Sequence, residues 1–203
     1  MWLFLIIVLV LLVLFSLWQH KLPHKAVIEM TKGIVQEDPQ TLADAAGVNL
    51  EVYSLARVGQ SEEGLSSDRA KIAVMYACKR HADKQGKSIT EVVTAGNPKR
   101  SDYEEANGHY GRQGIHPYCT TIATPTSNTI ALAQSVYDEV AIDETEGAQF
   151  WDNPHTQDVL HAVQPYDEAT GKGYRSSEEI AQRRQSKGLK LITIDGISTR
   201  FWA

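Results

Sequence analysis

Cysteine is scarce in this chain. Cys78 and Cys119 are the only two, too few for a disulfide framework and without the spacing of a metal site. They would form one bond in an oxidising space; equally, Cys78 reads as a small buried hydrophobe on a helix. Positive charge in excess is lacking too. The formal net charge of −5 argues against a surface that tracks nucleic-acid phosphates. Several catalytic signatures are missing: there is no HExxH, no phosphate loop around Gly59 and Gly64, and no GxSxG elbow. The seven histidines do not make up for this. His155 and His161 do not share a helix face, and His109 and His116 flank a loop with no cysteine or carboxylate pattern beside them. No metal and no cofactor is expected. Internal repeats and low-complexity runs are also absent.

What is present is one long apolar run. From Trp2 to Trp18 (WLFLIIVLVLLVLFSLW) there is no charge, no proline and no glycine. As a helix the run spans roughly 25 Å, against about 30 Å for a hydrocarbon core. Backbone groups in lipid must bond internally, so the segment has to be helical. Trp2 and Trp18 bracket it at the level where amphipathic rings settle. Only Met1 precedes the run and no Ala-x-Ala site follows, so a retained anchor is expected rather than a cleaved signal peptide. Residues 1–20 are therefore read as a transmembrane anchor that meets the bilayer through residues 2–18. Residues 21–40, with Pro23 and Pro39, read as a stalk, and 41–203 as one domain. Lys21 and Lys25 follow the anchor, and the positive-inside rule sets them on the cytoplasmic side.

The domain reads as α+β and mostly helical. TLADAAG from Thr41 suits a short helix ended by Gly47. A second helix should start after Asn49 and stop near Gly64. A third follows the caps offered by Ser66, Ser67 and Asp68, and its RAKIAVMYACKRHADK face is apolar enough to be the central buried helix. Ser88 caps SITEVVTAG, closed by Gly96 and Pro98. Residues 97–128 read as a loop or small hairpin, and Ser127–Val140 as a helix. After a GAQFWDNP loop come helices near Gln157–Val163 and in SSEEIAQRRQSKG. LKLITIDGI alternates like a strand, and Arg200-Phe201-Trp202 is expected to pin the C-terminus.

Three places offer chemistry. Glu62 and Glu63 sit at a helix end before the central helix, where a carboxylate in a cleft serves as a general acid; a solvated helix end is the ordinary alternative. Gly108–Gln113 supplies Tyr110 and Gln113, residue types that hydrogen-bond and stack on sugars; by composition alone an ordinary Gly-rich loop is the better reading. Gln149–Pro154 supplies Asn153 and the adjacent aromatics Phe150 and Trp151, which either stack on a ligand or plug the core.

The order of these segments resembles the cell-wall hydrolases of the SleB type. In that family a Glu stands about eleven residues before the Ala-Val of the buried helix, as Glu62 does before Ala73-Val74. A later Gly-Ala-x-x-Phe-x-x-Pro-like stretch is matched by Gly147, Ala148, Trp151, Asn153 and Pro154. The likeness covers roughly residues 52–154. It implies a lysozyme-like domain behind the anchor that cleaves the glycan strand of peptidoglycan, as a glycosidase or a lytic transglycosylase. It implies Glu62 as the acid, Tyr110 and Gln113 as residues that orient the sugar, and Phe150–Asn153 as part of the cleft wall. Two departures stand out. Lys79-Arg80-His81 replaces the family's Asn-Arg pair, and the shortened Glu63-Gly64 makes Glu63 the acid if the alignment slips by one. The implied setting is a domain facing the periplasm and wall, or a phage or virion membrane. The alternative is a non-catalytic module, a glycan-binding or structural membrane protein with a lysozyme-like domain.

Overall fold

A computed structural model of the chain describes residues 39–63, 66–94, 124–171 and 173–203, all within one compact unit, Glu37–Ala203. The expected anchor lies outside the described residues. Among those described, no helix is long and apolar enough to cross a membrane. The domain is α+β and mostly helical, with seven helices and one three-stranded sheet among the described residues.

The helices begin where side chains can absorb free backbone N–H groups. Helix α1 (Pro39–Ala45) starts on a proline, whose missing N–H costs nothing in a first turn, so the first two helical residues fall within the expected stalk. Asn49 accepts the Val52 amide at 2.8 Å and starts α2 (Leu50–Glu63). Ser67 caps α3 (Asp68–Gln85), which closes on Gly86 at φ 63°; that left-handed turn is open to glycine without strain. Helix α4 (Ile89–Thr94) is capped twice. Ser88 and Glu91 exchange backbone bonds, and Glu51 of α2 reaches across to accept the Ile89 amide at 2.6 Å. Thr126 caps α5 (Ser127–Tyr137).

Helices α2, α3 and α5 pack on one another and form the core. Val52, Leu55, Ala56 and Val58 of α2 meet Ala73, Val74, Met75 and Ala77 of α3, with Ala133 and Val136 of α5. Gly59 sets the approach of α2 to α3: a Cβ there would lie 2.2 Å from Met75 Cε. The expected central helix is thus the central helix. One end differs. Helix α5 stops at Tyr137 instead of Val140, because Glu139 turns left-handed at φ 60°. The Val140 amide then bonds back to Ser135 O at 2.9 Å, the arrangement of a Schellman stop. Tyr76 Oη holds the exit by donating to Ala141 O at 2.7 Å.

The sheet is where local reading fell short. GAQFWDNP is not all loop: Phe150–Asp152 is strand β1, and Asn153 and Pro154 open helix α6 (Pro154–Val163). Helix α7 (Ser177–Ser186) carries a full capping box between Ser176 and Glu179. Within LKLITIDGI only Leu191–Thr193 is strand, β2. Arg200–Trp202 is more than a pin. It is β3, the middle strand of an antiparallel sheet ordered β1-β3-β2. Phe150 faces Trp202, Trp151 faces Phe201, and Asp152 faces Arg200.

Alternation divides the sheet into two faces. Trp151, Phe201 and Ile192 pack on the helical core. Phe150, Asp152, Arg200 and Trp202 share the other face, where Asp152 is 8% exposed and ties the strands to α7. Its Oδ1 accepts Trp202 Nε1 at 2.7 Å and Arg184 Nη1; its Oδ2 accepts Arg200 Nε at 3.0 Å and also Arg200 Nη2. Asp152→Ala leaves both guanidinium groups and a buried indole N–H without their acceptor. The expected result is a loss of about 3 kcal/mol in unfolding free energy, read in a denaturant titration as a lower midpoint at unchanged slope.

Candidate functional site

The last turn of α2 carries four polar side chains in succession, Gln60, Ser61, Glu62 and Glu63. Carboxylates at a helix C-terminus oppose the macrodipole, so a pair of them there is not explained by helix stability. Each takes a different surrounding, because successive residues of a helix point about 100° apart. Gln60 Oε1 accepts the hydroxyl of buried Thr129 at 2.9 Å. Ser61 Oγ is buried and has no hydrogen-bond partner among the described residues. Glu63 is 5% exposed and accepts the Thr199 hydroxyl from the segment before β3. Glu62 is half-buried, and its Oε2 accepts Trp151 Nε1 at 3.1 Å.

The two expected acids are thereby separated. Glu63 is enclosed and occupied by a structural partner. Glu62 is held by one oxygen, while its Oε1 makes no hydrogen bond among the described residues. Trp151, rather than Phe150 or Asn153, is the residue of this segment that reaches it. Phe150 lies on the opposite face of the sheet, edge-on to His81 with ring centroids 5.0 Å apart. Asn153 is occupied as the cap of α6: its Oδ1 accepts the Thr156 amide at 3.1 Å, and its Nδ2 donates to Ser198 Oγ at 3.1 Å. Tyr110 and Gln113 lie outside the described residues, as do Cys119, His109 and His116. The segment that contains them leaves α4 at Thr94 and returns at Thr124, next to Thr126. Thr126 Oγ1 meets Thr129 Oγ1 at 2.9 Å, and Thr129 bonds Gln60. The chain after Tyr110 and Gln113 therefore re-enters the described fold beside the polar turn that carries Glu62.

Behind the site stands Cys78, 1% exposed on α3. Burial pushes its thiol from the ordinary 9.0 up to about 12, with the charges of Glu62 and Glu51 adding to the effect. Among the described residues no cluster of His, Cys, Asp or Glu could hold a metal ion.

Two features of the site escaped a reading of the sequence. The Glu62–Trp151 and Glu63–Thr199 bonds join residues far apart in the chain, and no periodicity announces them. The only local signals were the Glu62-Glu63 pair at the end of α2 and the Phe150-Trp151-Asp152 run, and neither names its partner. No protein-family model, curated protein or solved structure matches this chain.

The Cys78 environment yields a direct test. In a Cys119→Ser variant the remaining thiol should resist a disulfide reagent at about pH 8 until the domain is unfolded. Because the folded value is raised, the stabilisation from keeping this thiol neutral is complete below its ordinary 9.0 and is lost as pH climbs toward about 12. A thiol that reacts at the rate of a free cysteine in the folded protein would show that the core opens around α3.

Proposed function

We propose that the chain is a membrane-anchored peptidoglycan-cleaving enzyme, a glycosidase or lytic transglycosylase that uses Glu62 as its general acid. The observation that carries this reading is the state of Glu62. It stands where the resemblance to the SleB-type hydrolases requires the acid, half-buried, with one oxygen fixed by Trp151 and the other unengaged among the described residues. Fixing one oxygen orients the other, the requirement for proton transfer along a hydrogen bond of about 3 Å.

In the transglycosylase form, Glu62 Oε1 gives its proton to the glycosidic oxygen as the C1–O bond breaks. The sugar's own 6-hydroxyl then closes on C1, and its proton returns to the Glu62 carboxylate. The product is a 1,6-anhydro end and no water is consumed. That scheme needs a single carboxylate, whereas the hydrolytic schemes use two. Glu63 is poorly suited to be the second, being enclosed and bound to Thr199. The anchor at residues 2–18 would hold the domain against the wall, on the outer side of a cytoplasmic membrane or on a virion membrane. Tyr110 and Gln113 would orient the sugar from the segment that returns beside Gln60.

Digestion of purified peptidoglycan by the full-length protein in detergent tests the reading. Wild type should release muropeptides with anhydro ends. Glu62→Gln should cut the rate by at least about 100-fold, the span expected for a lost acid. Trp151→Phe, which keeps the ring but removes the donor, should fall between the two. Glu63→Gln should still cleave. Equal rates for wild type and Glu62→Gln would remove Glu62 as the acid. A folded wild type that retains glycan without cutting it would make the domain a binding module.

A further inference from the structure

A concave site lies on the other face of the sheet. It is a pocket of about 370 Å³ whose apolar floor is formed by Phe150, Ile180 and Leu189. Its rim is formed by Arg175, Arg183, Arg184 and Lys187, and no acidic side chain lines it. In a chain with a net charge of −5, four cations around one apolar pocket are a local reversal. Ile180, Arg183, Arg184 and Lys187 recur at the spacing of a single helix face, so α7 and the turn after it present this wall as a unit.

The four cations differ in how far they are already satisfied. Arg184 is bound to Asp152, and Arg175 pairs with Glu168 at 2.9 Å while its guanidinium stacks 3.6 Å above Tyr166. Arg183 and Lys187 have no ion pair and no side-chain hydrogen bond among the described residues. Cations near the end of α7 complement its dipole. That does not explain why Arg175, from a separate segment, joins them, nor why they surround an apolar floor. A pocket of this size and lining suits a small organic ligand that carries an oxyanion.

We propose that this pocket receives a carboxylate of the peptide stem borne by the glycan strand, with a small apolar side chain of the stem resting on Phe150, Ile180 and Leu189. The inference rests on the peptidoglycan reading above for its choice of carboxylate. The geometry that joins the two sites is β1. Phe150 lines the pocket and its neighbour Trp151 holds Glu62, so the sites lie on opposite faces of one strand. That strand is at the edge of the sheet, paired only with β3 among the described residues. A glycan lying along the Glu62 side can pass its branch around this edge. Four extended residues reach about 14 Å, more than the roughly 10 Å from a sheet to the next packed layer.

The test is binding of the free stem tetrapeptide to full-length protein in non-ionic detergent, followed by calorimetry. The arms are the same peptide with its carboxylates amidated, inorganic phosphate as competitor, and the double variant Arg183→Gln/Lys187→Gln. Both side chains are exposed, so the variant should fold, which thermal unfolding checks. The free peptide should bind, and amidation or the double substitution should each weaken it about ten-fold, as expected for loss of charge-assisted bonds. Phosphate should not displace it at equal concentration. Equal affinity for free and amidated peptide, or for wild type and double variant, overturns the proposal. Efficient displacement by phosphate also overturns it, reassigning the pocket to a phosphate-bearing ligand. Glu62→Gln should bind the peptide as wild type does, and that result supports the pocket even where no glycan is cleaved. A wild type that cleaves glycan but binds no peptide sinks the pocket alone.

Discussion

A single buried carboxylate organises the second half of this domain. Asp152 takes donors from β3 twice, through Arg200 and Trp202, and from α7 through Arg184. Removing a charge from water is costly, and the cost is offset only when partners with good geometry occupy most of its lone pairs. Here they do. The same guanidinium groups also bind backbone: Arg184 donates to Trp151 O at 3.2 Å, and Arg200 to Ser177 O at 3.0 Å. The network therefore fixes the pleat of β1 and the seat of α7 together. Burial lowers the Arg184 pKa and the Asp152 charge works against that fall, which keeps the guanidinium charged in its half-buried position.

Once the pleat of β1 is fixed, the two neighbours of interest have no freedom of face. Asp152 points toward α7, so Trp151 takes the face that packs on the apolar core and Phe150 the opposite face, where its ring meets the edge of His81. Trp151 then meets the end of α2 and holds Glu62, while Phe150 becomes the floor of the cationic pocket. One residue of slip would exchange them. The strands are only three residues long, too short to define their own register by side-chain pattern. Charge, and not hydrophobic alternation, sets it.

This explains what was legible in the sequence and what was not. Helices α2, α3, α4 and α5 could be read because their starts are local: Asn49, Ser67, Ser88 and Thr126 each bond a backbone amide three residues on. The apolar face of α3 carried the core. The end of α5 could not be read, since it depends on a left-handed Glu139 that Lys79 of α3 grips at 2.5 Å. The sheet was half hidden for a similar reason. Phe150–Asp152 finds its partner only at Arg200–Trp202, and nothing within either segment marks that pairing. Glu62 could be singled out as a candidate by its position before the central helix. Its hydrogen-bond partner was not, because that depends on the register of β1. The cationic face of α7 was there to be read in the spacing of Ile180, Arg183, Arg184 and Lys187, but only the floor supplied by Phe150 makes it a pocket.

The end of α2 shows how neighbouring identical residues acquire different work. Glu63 is turned inward, 5% exposed, and takes a hydroxyl from Thr199; it secures the approach to β3 and with it the strand that bonds Asp152. Glu62, one step around the helix, meets an indole N–H instead and keeps one oxygen unengaged among the described residues. An indole is a donor only, so it can hold a carboxylate without offering an acceptor to compete for an acid proton. A hydroxyl partner such as Thr199 has both donor and acceptor capacity and is less selective. On these grounds the position fixed by Trp151 suits proton delivery and the position fixed by Thr199 suits structure. The proposed assignment rests on partner chemistry as well as on the place of Glu62 before the central helix.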